Sequence, residues 1–182
     1  VCPSGSTAGT YGIAFSGATV NTAGADNDGN TITGYTITNV SYGIHAFGGA
    51  SPASAANDNL VISGNIIGPA SMGIDSIGSS AMFIRDAANL TVSGNTVRNI
   101  SVSAGTERVI SLFQGVAGGT ISENSISNVT SSVNSLGNNS IGAIYLGAAV
   151  SNVTVSRNNI QSVWSTLAAG AGARGILANS EG

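Results

Sequence analysis

Eight carboxylic acids are the only side chains in this sequence that could do polar chemistry in pairs: Asp26, Asp28, Asp58, Asp75, Asp86, Glu107, Glu123 and Glu181. Hydrolysis of a glycosidic bond needs two carboxyl groups at a set separation, one as acid and one as base or nucleophile. Asp75 and Asp86, with Arg85 beside the second, form the best such set, although acids capping a loop explain the same residues. The run DNDGN, Asp26 to Asn30, has the acid spacing and glycine of a calcium loop but lacks its distant bidentate glutamate, and a polar turn accounts for it equally well. Asp26 and Asp28 are therefore the metal candidates, and calcium is the one cofactor the sequence brings into view; the expectation is none. His45 has no second histidine or thiol to complete a ligand set or a nucleophile pair, and reads as a solvent-facing strand residue. Trp164 reads as a cover for a loop or the core edge, with Tyr11, Tyr35, Tyr42 and Tyr145 as possible contributors to a glycan contact.

Charge excludes some partners. The chain has five arginines, no lysine and a net charge of -3, so it cannot assemble a phosphate-neutralising surface, and neither nucleic acid nor an anionic membrane is an expected partner. No apolar run approaches the roughly 20 residues of a membrane span. Cys2 has no internal partner, which leaves the redox compartment open. With 182 residues, 42% of them apolar and only 7% charged, the chain is long enough for one core and too apolar for disorder; residues 1–182 read as a single domain.

These scattered groups must be positioned by a repeat. Anchoring on Ile32, Ile62, Val92, Ile121 and Val155 gives separations of 30, 30, 29 and 34 residues. Five positions after each anchor comes Ile37, Ile67, Val97, Ile126 or Ile160, and eight after comes Val40, Ala70, Ile100, Val129 or Val163. Three after the anchor stands Tyr35, then Asn65, Asn95, Asn124 and Asn158. Apolar and polar residues alternate around each anchor, the period of a strand buried on one face. Gly-Asn or Glu-Asn then breaks the strand, because Gly and Asn tolerate the left-handed conformation of a sharp corner. A third element recurs as YGIAF, YGIHAF, MGID, IGAIYL and RGILA. Three short strands per turn of about 30 residues, each turn stacked on the last, predict an all-β parallel β-helix of about five to six turns. The anchors and the residues five further on become inner columns at about 4.8 Å per turn, and the asparagines a corner ladder.

The pattern carried by NLTVSGNTVRNIS, Asn89 to Ser101, and its copies resembles the right-handed parallel β-helix of the pectate-lyase-like superfamily, and in particular the long repetitive members found in secreted bacterial surface proteins. The resemblance runs from Tyr11 to Leu177 and implies a right-handed helix outside the cell or at its surface. It leaves activity open, since that superfamily includes lyases, glycosidases, adhesins and structural segments. Stacking does not converge the acids, so the expectation is a non-enzymatic structural or adhesive segment, with a polysaccharide-active enzyme as one alternative. Ice binding is the other, through the outward hydroxyls that flank the anchors, such as Thr31 and Thr33, Thr91 and Ser93. Glu123 is in register with Arg157 and reads as a structural ion pair. The sequence shows no cap after RGILA, so the expected partner is a further copy joined end to end, or more of a longer chain. A surface glycan is a further possibility, held on loops such as Ser51 to Asn57 or Ser131 to Asn139. Asn39, Asn89, Asn99, Asn128, Asn138 and Asn152 each begin an N-x-S/T triplet.

Overall fold

In the computed structural model, the residues described are 9–17, 19, 22–23, 27–49, 57–73, 75–102, 108–132, 140–166 and 172–178. They form strands and turns with no helix, and every strand pairing is parallel. The chain is a parallel β-solenoid of about 31 residues per turn.

Three strand lines run up the molecule. The anchor line comprises β2 (Thr31–Thr33), β6 (Val61–Ser63), the ends of β8 (Ser80–Ser93) and β10 (Arg108–Ser122), and β13 (Ser151–Ser156). Its register sets Ile32 on Ile62, Val92, Ile121 and Val155 in turn. The second line is a separate five-stranded sheet: β3 (Thr36–Ile37), β7 (Ile66–Ile67), β9 (Thr96–Val102), β11 (Ser125–Ser131) and β14 (Asn159–Ser165). It stacks Ile37, Ile67, Val97, Ile126 and Ile160. The third line comprises β1 (Tyr11–Phe15), β4 (Tyr42–Phe47), the starts of β8 and β10, β12 (Ser140–Ala148) and β15 (Gly172–Ala178). β5 (Asn57–Asp58) is a short extra pairing on β8.

The inner columns are the core. Ile62, Val92, Ile121, Ile67, Val97 and Ile126 are fully buried, and each such side chain contributes roughly 1.5–3 kcal/mol through removal from water. Val155 and Ile160, in the last turn, are only half-buried.

Backbone corners repeat as strictly as the columns. Every non-glycine residue with positive φ falls at one of four offsets from its anchor. Six before it stand Asp86 and Ala149, with Gly115 between them; three before, Gly29, Asn59, Asn89, Gly118 and Asn152; two after, Gly34, Gly64, Gly94, Glu123 and Arg157. Seven after come Asn39, Asn99, Asn128 and Ser162, and in the turn where that position is Pro69 the neighbouring Gly68 takes the positive φ instead. A left-handed residue turns a strand sharply within one position, and glycine or asparagine adopts it at least cost. The corner after the anchor therefore belongs to the first residue of the Gly-Asn or Glu-Asn pair. The asparagine that follows has another role.

One column departs from the expected spacing. Ala70 is exposed, and the place over which Ile100 sits is filled by Ile77, which bridges Ile100 and is fully buried. Residues between β7 and β8 form an insertion: the step from Ile44 to Met82 in the third line is 38 residues, against 31 from Tyr11 to Tyr42.

Candidate functional site

The corner asparagines form one continuous hydrogen-bonded line. Asn65 Nδ2 donates to Asn95 Oδ1 at 3.0 Å, Asn95 Nδ2 to Asn124 Oδ1 at 2.9 Å, and Asn124 Nδ2 to Asn158 Oδ1 at 2.9 Å. The same Oδ1 atoms accept main-chain N–H groups from the turn before, at 3.0 Å from Tyr35 and Asn65, 3.1 Å from Asn95 and 3.0 Å from Asn124. Each amide also reaches back to an anchor carbonyl: Asn65 to Ile32, Asn95 to Ile62, Asn124 to Val92, Asn158 to Ile121. A carboxamide has two donors and one oxygen with two lone pairs, and the interior asparagines use all of them. Tyr35 enters only through its N–H, and its ring is exposed.

A second, shorter stack lies at the corner seven after the anchor. Asn128 Nδ2 donates to Asn99 Oδ1, and Asn99 Nδ2 to the Pro69 carbonyl at 2.8 Å. This explains the abundance of N-x-S/T triplets. Asn39, Asn89, Asn99, Asn128 and Asn152 all occupy left-handed corners, each followed by an inward aliphatic residue and then a hydroxyl residue that alternation turns outward. Asn138, the sixth, lies outside the described residues.

The acids are not brought together. Asp75 is exposed in the insertion before β8, where its carbonyl accepts the N–H of Asn39 at 2.8 Å. Asp86 is buried at a left-handed corner beyond the third-line segment of β8 and holds Arg85 Nε at 3.0 Å through Oδ2. Arg85 also stacks over the Phe47 ring, 4.4 Å from its centroid. Directly above, a Cβ on Gly115 would come within 2.1 Å of Asp86 Oδ1, so this corner closes on the carboxylate and leaves no room for a substrate there. Asp28 is exposed, and its Oδ1 accepts the N–H of Asp58 in the next turn at 3.0 Å; Asp26 lies outside the described residues. No group of three or more His, Cys, Asp or Glu suited to a metal occurs among the described residues. Glu123 and Arg157 do pair, Oε1 to Nη2 at 2.7 Å, with both side chains more than half exposed, a contact worth about 0–1 kcal/mol.

The hydroxyls flanking the anchors fall into two straight files. Thr31, Val61, Thr91, Thr120 and Thr154 are in register, as are Thr33, Ser63, Ser93, Ser122 and Ser156. Val61 interrupts the first file and Ser122 is buried in the second, so neither presents an unbroken exposed row.

His45 corrects the sequence reading. It is buried rather than solvent-facing: its ring lies parallel to Phe83 with centroids 5.1 Å apart and meets Tyr11 and Tyr42 edge-on at 5.1 and 5.5 Å. Tyr11 stacks on Tyr42 at 5.2 Å, Phe83 leads on to Phe113 at 5.2 Å, and Arg108 lies over Tyr145 at 3.6 Å. Burial lowers the pKa of His45 below its usual value. Periodicity marked this position as outward, and nothing in the local sequence said that aromatic neighbours from turns on either side would close over it. Trp164, by contrast, is exposed, in register with Thr130 of the preceding turn. The loop calls at Ser51 to Asn57 and Ser131 to Asn139 fall mostly outside the described residues, which here include only Asn57, Ser131 and Ser132.

No protein-family model, curated protein or solved structure matches this chain.

Proposed function

We propose that this chain is a non-enzymatic shaft: a rigid β-solenoid segment of an extracellular bacterial surface protein or filament, whose work is spacing and display. The observation that carries the reading is that the polar side chains which recur every turn bind the turns to one another. The asparagine line uses its carboxamides fully inside the stack. The best acid pair is split, with one member exposed in an insertion and the other closed under Gly115. Scarcity of charge and buried aliphatic columns suit a rod whose contacts do not depend on salt.

Two measurements test the proposal. Pulled from its ends, a solenoid whose turns contact only their neighbours should lengthen in steps of about 100 Å, one turn of extended chain at a time. Incubated with a panel of acidic and neutral polysaccharides, the protein should release no product. Turnover that disappears in the Asp75→Asn, Asp86→Asn double variant would overturn the proposal in favour of a polysaccharide-active enzyme.

A further inference from the structure

Two tyrosines from successive turns lie ring on ring. β1 and β4 pair in parallel with Tyr11 directly opposite Tyr42, so strand spacing brings the two backbones to about 4.8 Å. The rings stack with centroids 5.2 Å apart and planes within 9° of parallel. His45 meets both rings edge-on, and Phe83 from the following turn meets Tyr42 edge-on at 6.3 Å, so the pair is held from the side. Both tyrosines are only partly buried. Gly9 has no side chain to stand between the phenol ends: a Cβ there would sit 2.9 Å from Tyr11 Oη and 3.2 Å from Tyr42 Cε2, a ring carbon ortho to the hydroxyl.

The other two tyrosines have different surroundings. Tyr35 is 54% exposed, and its main-chain N–H goes to Asn65 in the next turn of its file. Tyr145 is buried beneath the Arg108 guanidinium, 3.6 Å from its ring centroid.

We infer that Tyr11 and Tyr42 are a site of oxidative cross-linking, joined ortho carbon to ortho carbon as a dityrosine by hydrogen peroxide acting through a haem peroxidase. Each phenol gives up one electron and its hydroxyl proton, which leaves radical character on the ring carbons ortho to oxygen. A carbon–carbon bond forms between one ortho carbon of each ring, and the two ortho hydrogens pass as protons to the oxygens and restore both phenols. The peroxide takes up the two electrons and two protons and leaves as two waters. The rings reach this arrangement by turning about their side-chain torsions, of which χ2 is soft, while the strand register keeps the two backbones together. The site stands on register and ring geometry, so it goes beyond the shaft reading. In a shaft, the bond would fasten one turn covalently to the next, where stacking otherwise relies on neighbour contacts.

The test is to expose the whole folded chain to a haem peroxidase and hydrogen peroxide. Dityrosine fluorescence should appear in the monomer, its intact mass should fall by two hydrogens, and proteolysis should release a linked pair of peptides containing Tyr11 and Tyr42. Closing the 31-residue step between them should raise Tm by about 10 °C. Tyr11→Phe and Tyr42→Phe each keep the stacked rings and remove one phenol, so each should abolish the monomer's dityrosine. The chain unfolded in urea, which has lost the register, should give about a tenth of the folded yield. Absence of dityrosine from the folded chain would overturn the inference, as would a link mapped to Tyr35 or Tyr145, or equal yields from folded and unfolded chains. None of these readouts depends on polysaccharide turnover or on stepwise extension, which bear on the shaft reading itself.

Discussion

Two regions of this molecule use the same columns under different conditions. In the successive turns that carry β9 and β11, each inner residue has a turn on both sides: Val97, Ile126 and Val129 are fully buried, and Asn95 and Asn124 lie in the middle of the hydrogen-bonded line. In the turn of β13, β14 and β15, equivalent residues have a turn on one side only among the described residues, and Val155, Ile160 and Val163 are partly buried. The column positions keep their residue types between the two, aliphatic or asparagine, so the difference reports chiefly what stacking contributes. A solenoid stabilises by neighbour contacts, and a residue with one neighbouring turn should carry about half of what a residue with two carries.

The largest effect should come from the aliphatic columns. Ile126→Ala leaves a cavity between Val97 and Ile160 and should cost about 3–4 kcal/mol, whereas Ile160→Ala, at an edge that can relax, should cost about 1–2 kcal/mol. Denaturant titration of both variants measures this, and equal losses would break the comparison. The asparagine line should show a smaller version. Asn95→Ala strands the N–H and Nδ2 of Asn65 and the carbonyl of Ile62, all buried, and should cost about 2–3 kcal/mol. Asn158→Ala strands groups nearer solvent and should cost about 1 kcal/mol.

Much of this was legible because the repeat imposes the same constraint five times. A column of Ile32, Ile62, Val92, Ile121 and Val155 can be read without coordinates, since only stacked strands give one aliphatic position such regularity. The asparagine ladder was legible for the same reason. What failed were positions decided by a single turn. Ala70 was placed by counting, but the insertion after β7 moved the column to Ile77. His45 was placed by alternation, but Tyr11 and Phe83 from the turns on either side, with Tyr42 of its own strand, covered it. The corner residue was assigned to the Gly-Asn pair as a whole; the structure divides it, giving the backbone turn to one member and the cross-turn amide to the other. The candidate acids were legible as residues but not as a site, because their turn carries the insertion that separates Asp75 from the third-line strand.

Backbone strain should ignore the comparison. Glu123 and Arg157 hold φ near 59° and 52°, in a corner that Gly34, Gly64 and Gly94 occupy without strain. Replacing either by glycine relieves about 1 kcal/mol of left-handed strain and loses an exposed ion pair worth no more than that, so each variant should be neutral to about 1 kcal/mol more stable. Because φ is local, the interior Glu123→Gly and the terminal Arg157→Gly should behave alike in the denaturant titration that separates Ile126→Ala from Ile160→Ala. A difference between them as large as that between the isoleucines would mean that corner strain, too, is set by stacking.

The weakest lever is pH, and it acts on a residue that neighbouring turns cover. Burial among Tyr11, Tyr42 and Phe83 holds His45 neutral and lowers its pKa, so the unfolded chain binds the proton more readily. His45 therefore contributes its full share of stability above about pH 6.5, the unfolded value, and that share is lost as pH falls from there through the lower folded value. His45→Phe keeps the aromatic stacking and removes the titration, so Tm should become flatter between pH 7 and pH 5 in the variant than in the parent chain. If the two profiles coincide, the imidazole is titrating as freely in the fold as in the unfolded chain, and the turns on either side do not seal this position as they seal the inner columns.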